Sequence, residues 1–185
     1  MILGDAIVGQ MKEPFVATPY DPAAAVEKPW ALTGCAGRER RHLKSLYLKD
    51  NAIEIHNWKL NGKYEKIRQA EARAESFLLD GAKIAIVAFG TAARVCKTAI
   101  QWARKEGIAA GMLRPITLFP FPSREVFELA RIVDVLLVVE MNTGQMLEDV
   151  RQSTSLHDRI AFLGKPCAMP TPEEILERIR ALAGR

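Results

Sequence analysis

From Asp80 onward the chain alternates between short apolar runs and segments whose apolar residues recur every three to four positions. The runs Ile84 to Phe89, Ile108 to Leu113, Val133 with Val135 to Val139, and Ile160 to Leu163 are strand-sized and rich in β-branched side chains. Near-continuous apolar runs of this length read as strands covered on both faces. Between and after them, Ala92 to Glu106, Arg124 to Arg131, Gln145 to Arg151 and Thr171 to Leu182 carry helical spacing. Ser123 precedes one helix, Gly107 closes another, and Thr171, Pro172, Glu173 and Glu174 form a start signal with an N-cap, proline at the first helical position and acids in the first turn. Four repeats of strand then helix predict an α/β domain over 80–185, with a parallel sheet and right-handed crossovers.

The front of the chain has a different pattern. MILGDAIVGQM predicts the end of a buried strand, a turn at Gly4 and Asp5, and the start of a helix. An opening strand needs neighbours, and the residues up to Lys49 supply no evident set. The expectation is therefore that residues 1–49 are the rear of a longer polypeptide or belong with a missing half. From Glu13 to Leu48 four prolines (Pro14, Pro19, Pro22 and Pro29) and the glycines Gly34 and Gly37 predict an extended crossing segment. So long an irregular stretch usually packs on something else. Asp50 or Asn51 then starts a predicted helix running to about Leu79, with Ile53, Leu60, Tyr64, Ile67, Ala74 and Leu78 on one side and charges on the other. It reads as a connector over 50–79, in which His56 and Trp58 are taken as packing residues.

Composition narrows the class. A chain of 185 residues with 49% hydrophobic and 26% charged residues is globular, and its apolar runs are too short to cross a membrane. With no leader-like start, the expected compartment is the cytoplasm. Cys35, Cys96 and Cys167 are scattered, as are His42, His56 and His157, so neither a disulfide framework nor a metal site is expected. The net charge is +4, and the excess is partly local, in the run Arg38, Arg40, Arg41, Lys44 and Lys49. That run has no interleaved aromatics for base stacking, and nucleic-acid binding is not expected.

Candidate chemistry is sparse. The turn FGTAARV has Gly90, but Ala92 and Val95 stand where a dinucleotide fingerprint needs glycine. Asp5, Glu13 and Glu140 are isolated acids, with no spacing that pairs them for acid-base work. The most function-like cluster is Glu140, Asn142 and Gln145, a carboxylate and two amides where a buried strand turns into a helix, the edge at which open sheets bind ligands and partners. It serves either as a contact surface or as the chemistry of the turn itself. Two classes remain: part of an assembly, or a free-standing flavodoxin-like module binding a nucleotide or effector near Gly90 and Asn142.

Three stretches, HNWKLNGKYEKIRQAEARAESF, AIVAFGTAARVCKTAIQWARKEGIAAGMLRPITLFPFP and VVEMNTGQMLEDVR, together with the opening ILGDAIVGQMKEP, resemble the C-terminal part of the α subunit of thiamine-diphosphate-dependent 2-oxoacid:ferredoxin oxidoreductases. The branch most similar is the 2-oxoisovalerate (branched-chain) type, then the 2-oxoglutarate type. The resemblance implies a transketolase C-terminal-like, doubly wound, mostly parallel sheet in 80–185. Before it would come the tail of a pyrimidine-binding domain with the crossing segment (1–49) and the connecting helix (50–79). It implies oxidative decarboxylation of a 2-oxoacid to an acyl-coenzyme A by the whole complex, with reduction of ferredoxin. Thiamine diphosphate, magnesium and iron-sulfur clusters would belong to that complex, and the partners would be β, γ and ferredoxin-like subunits. In that family the diphosphate and magnesium are held by the β subunit, and the activating glutamate lies early in the α subunit. No catalytic, cofactor-binding or metal-binding residue is therefore carried over. This portion is expected to be inactive alone and to bind no cofactor, with Glu140, Asn142 and Gln145 as implied interface contacts.

Overall fold

The computed structural model describes residues 1–12, 14–22 and 25–184. Glu13, one of the isolated acids, lies outside the described residues. The chain divides into two compact units, one of Met1–Met11 with Tyr64–Arg185 and one of Lys12–Lys63.

The first unit opens with a short helix, α1 (Ala6–Gln10), and takes in the end of a long helix, α2 (Ala52–Glu71). There follow β1 (Ala74–Phe77), β2 (Ile84–Val87), α3 (Gly90–Lys105), β3 (Ala110–Pro115), α4 (Ser123–Ile132), β4 (Val135–Glu140), α5 (Gln145–Ser153), β5 (Ile160–Gly164) and α6 (Pro172–Ala183). The strands form one sheet in the order β1-β3-β2-β4-β5, with β2, β3, β4 and β5 parallel and β1 antiparallel to β3. The four strand-then-helix repeats are those the apolar runs predict, within two residues at most ends.

Alternation within the strands sorts the core into two layers. Ile84, Ile86, Met112, Leu137 and Val139 point to α3 and α6, where Cys96, Ile100, Ile175 and Ile179 meet them. Ala85, Val87, Leu113, Leu136 and Val138 point the other way, to Val126 and Leu129 of α4 and Met146, Leu147 and Val150 of α5. Helices on both faces of a parallel sheet make the doubly wound α/β fold. The start of α6 is as its sequence predicts: Thr171 Oγ1 accepts from Glu174 N, and the Glu174 carboxylate accepts from Thr171 N at 2.8 Å.

Two expectations are corrected. The helix predicted to reach about Leu79 ends at Glu71, and Ala74 to Phe77, counted as its last turns, form the antiparallel edge strand β1. AEARAESF has good helix formers, but β3 presents an open row of backbone groups that the chain satisfies by pairing, from Ala74 opposite Pro115 to Phe77 opposite Met112. Glu75 then bonds Lys97 at 2.8 Å and Arg114 at 2.5 Å. The opening strand is also absent. Residues 1–5 are in no strand, and Ile2 and Leu3 face solvent, because no described strand pairs with them.

The second unit has the irregular course its prolines predict until α2 starts within it. Within it Arg41 donates to the Ala31 carbonyl at 2.6 Å, and the Tyr47 ring stacks on His56 at 4.5 Å, with its hydroxyl 3.1 Å from Nδ1.

Candidate functional site

Strand β4 carries its apolar run straight into an acid. Glu140 is 1% exposed, as deeply buried as the valines before it. Burying an unpaired carboxylate costs several kcal/mol, so its partners decide whether the turn is stable. They come from the start of α5. One carboxylate oxygen accepts from Met146 N at 2.8 Å and the other from Leu147 N at 2.9 Å, while Asn142 Nδ2 donates to the first at 3.0 Å. Asn142 Oδ1 accepts from Gly144 N at 2.7 Å and Gln145 N at 3.0 Å. The orphan N–H groups of α5 are thus satisfied by the strand that leads into it, and the carboxylate lies at the positive end of the helix dipole. Gly144 stands at φ +113°, where a Cβ would sit 3.2 Å from Leu147 and 3.5 Å from Phe162. Glu140 and Asn142 are therefore brought together and spent on the turn. Gln145 lends only its backbone, and its side chain is exposed, as is that of Thr143.

The neighbouring β2–α3 turn solves the same problem from a distance. Phe89 stands at the N-cap of α3 and makes no side-chain bond there. Asp5 supplies the acceptor: its Oδ2 accepts from Thr91 N at 2.9 Å and Thr91 Oγ1 at 2.6 Å. The Thr91 hydroxyl chiefly, then its N–H, hold the Asp5 carboxyl below the usual aspartate range, against the opposing effect of burial. Gly90, at φ +56°, gives the acid room, since a Cβ there would come 2.8 Å from Oδ2. Asp5 is thus not an isolated acid. The signal for it was indirect: FGTAARV begins a helix with no Ser, Thr, Asp or Asn at the N-cap, so an acceptor had to come from elsewhere.

Strands β2 and β4 are neighbours, and the chain leaves β2 toward β3 but β4 toward β5. The crevice between their carboxyl ends is the switch point at which doubly wound sheets bind phosphates on helix N-termini. Here Asp5 and Glu140 occupy the starts of both flanking helices. The place that a nucleotide-binding module would offer to an anion is filled by the chain's own carboxylates.

A cleft of about 680 Å³ lies beside the loop that follows β3, lined by Arg68, Phe119, Phe121, Arg124, Asp149 and Gln152 among others. Asp149 is held above the ordinary aspartate range, by burial first and then by the Glu140 and Glu148 carboxylates. The cleft mixes cations and acids. Cys96 is buried in the core, and burial pushes its thiol up, away from reactive thiolate character. Cys35 and Cys167 are exposed and unpaired with each other. Among the described residues no group of three or more His, Cys, Asp or Glu is placed to hold a metal ion, and no helix is long and apolar enough to cross a membrane.

Comparison with known proteins places this geometry. The chain is 39% identical over 188 residues to the ketoisovalerate oxidoreductase subunit VorB of Methanothermobacter thermautotrophicus, covering all of this chain and 52% of that protein. It is 28% identical over 184 residues to the 2-oxoglutarate synthase subunit KorA of Archaeoglobus fulgidus, covering 96% of this chain and 51% of the relative. The chain thus spans about half the length of these curated relatives. Among solved structures, the 2-oxoglutarate:ferredoxin oxidoreductase from Magnetococcus marinus shares the fold, with a TM-score of 0.65 at 22% identity over 74% of this chain and 24% of that one. Residues 82–175, just over half of the chain and running from β2 through β5 with α3, α4, α5 and the first turn of α6, match the family model described as pyruvate:ferredoxin oxidoreductase core domain II, and the chain belongs to that family.

Proposed function

We propose that this chain is the rear portion of an α-type subunit in a 2-oxoacid:ferredoxin oxidoreductase of the branched-chain, 2-oxoisovalerate type, and that its work is assembly rather than chemistry. One observation supports this above the others: the likeness to a ketoisovalerate oxidoreductase subunit runs through the whole chain, including residues 1–81 that precede the core domain. On this reading residues 1–49 are the tail of a pyrimidine-binding domain with its crossing segment, and 80–185 are the transketolase C-terminal-like domain. Its partners are the β, γ and ferredoxin-like subunits, with ferredoxin as acceptor, and the complex works in the cytoplasm. The turn after β4 presents Thr143 and Gln145 to a neighbouring subunit, on a backbone shaped by Glu140 and Asn142.

Thiamine diphosphate with magnesium needs anion-binding N–H groups and a cluster of hard oxygen ligands. This chain does not fit that group. The two helix starts at the switch point are occupied by Asp5 and Glu140, and the described residues offer no acidic cluster. An iron-sulfur cluster needs several close thiolates, and Cys96 is alone in the core. Cofactor chemistry is therefore assigned to parts of the complex outside this chain.

The test is reconstitution. Co-expressed with the subunits encoded beside it, the chain should purify as part of a complex that reduces a viologen dye with 2-oxoisovalerate, coenzyme A and thiamine diphosphate. Omitting this chain should abolish that activity. A stable monomer that joins no partner, or full activity without it, would refute the assignment.

A further inference from the structure

Among the described residues of Lys12–Lys63 none is buried. Phe15, Tyr20, Trp30, Leu43, Leu46 and Trp58 are 60 to 86% exposed. Fixing a residue's backbone costs about 1–2 kcal/mol, and apolar burial at about 25 cal/mol per Å² is the main term that offsets it. This unit orders its chain without that return. Side chains of these sizes expose roughly 1,000 Å² together, comparable to one side of a standard protein interface of about 800 Å². Scattered surface apolar residues need no explanation, but a unit with no interior does.

Charge says what covers it. Between Arg38 and Lys49 there are five cations (Arg38, Arg40, Arg41, Lys44 and Lys49) and one acid, Glu39. The two that are anchored are held by neutral acceptors. Arg38 donates to the Glu39 carbonyl at 2.9 Å, to Thr33 Oγ1 at 3.4 Å and to the Gly34 carbonyl, and Arg41 donates to the Ala31 carbonyl. Lys44 rests 5.9 Å from the centre of the Tyr47 ring. None of the five is in an ion pair with a described residue. Leu43, Leu46 and Leu48 lie between these cations, all exposed.

We propose that the stretch from Lys28 to Trp58 is a docking arm for a protein subunit that presents an apolar strip edged by carboxylates. A phosphate backbone would answer the cations but leave four leucines and two tryptophans in water. An acidic protein face answers both, and it sets the register through the charges. That such a partner exists rests on the subunit reading above, whereas the way it is held follows from this surface.

The measurement is amide hydrogen exchange on the full chain, alone and in the complex co-expressed with the subunits encoded beside it. Amides of residues 28–51, ahead of α2, should exchange freely in the chain alone and slow by about tenfold or more in the complex. The double variants Arg40→Glu/Lys49→Glu and Leu43→Ser/Leu46→Ser should each weaken assembly by about tenfold or more, the first in a salt-dependent way, and leave the unfolding midpoint of the isolated chain unchanged. A complex in which 28–51 stay unprotected, or which both variants enter like the wild type, overturns the docking arm and leaves the subunit reading standing. Protection of the arm in a homodimer, or by a short DNA duplex, overturns the acidic-subunit assignment. Failure to form any complex, seen as a monomer by light scattering, overturns both.

Discussion

The turns that start α3 and α5 lie at the ends of paired strands and do the same work with acids from different distances. Glu140 belongs to the strand that leads into α5, six and seven residues before the N–H groups it accepts from. Asp5 reaches α3 from 86 residues away, and as a residue it is exposed. The local cap is part of the sheet: it is buried, bonded to backbone and backed by Asn142. The distant cap instead ties the opening segment, with α1, to the domain. One fixes a helix, and the other fixes a segment.

The sharpest break of this comparison is at Glu140. Glu140→Ala leaves the N–H groups of Met146 and Leu147 buried without an acceptor and removes the volume that fills the strand end. The loss should be about 4 kcal/mol. Glu140→Gln keeps the volume but turns an NH2 group toward a backbone donor, and should cost about 2 kcal/mol. Urea unfolding of the chain measures both. A loss under about 0.5 kcal/mol for the alanine variant would show that the cap does not hold α5.

At Asp5 the effect should be smaller and should depend on pH. Asp5→Asn or Thr91→Val should cost about 1 kcal/mol, the usual range for an N-cap. The folded carboxyl is held below its unfolded value near 3.8, so the cap's contribution is present above that value and lost as pH falls through the lower folded value. The wild type and Asp5→Asn should therefore differ at pH 6 and converge in acid. Protease cleavage in residues 1–11 should speed up in the variant while the sheet stays protected. A constant difference in stability across that pH range would show that the Asp5 carboxylate charge is not what holds the segment.

The same contrast explains what could be read in advance. Strands β2 to β5 and helices α3 to α6 were legible because each apolar run must lie between two helical layers, and Val135 to Val139 could satisfy no other position. The start of α6 was legible residue by residue, since Thr171 and Glu174 need only each other. The strand β1 was not, because AEARAESF is helix-forming in isolation and becomes a strand only where the open edge of β3 is beside it. Asp5 was missed for the same reason: its partner Thr91 is a tertiary neighbour with no trace in local spacing. Glu140 and Asn142 stand out in the sequence as a cluster and the structure joins them by a hydrogen bond, but spacing could not say that their polar atoms face inward. The exposed basic and apolar side chains from Lys28 to Trp58 were visible as composition, and only their burial state distinguishes a surface from a core.

The smallest effect on stability is expected at Gln145, and it separates the two readings of the turn. Its side chain is exposed and makes no hydrogen bond to another described residue, whereas its backbone N–H is held by Asn142. Gln145→Ala keeps that N–H and places a good helix former at the first position of α5, so unfolding should shift by less than about 0.5 kcal/mol. If the turn is a subunit contact, the more disruptive Gln145→Glu should still weaken assembly by about tenfold, because it places a new charge where a neutral amide faced the neighbour. If the turn serves only its own helix, both variants should assemble like the wild type. On the contact reading the contrast with Glu140 is one of direction: Glu140 faces inward and acts on stability, whereas Gln145 faces out and would act on association alone.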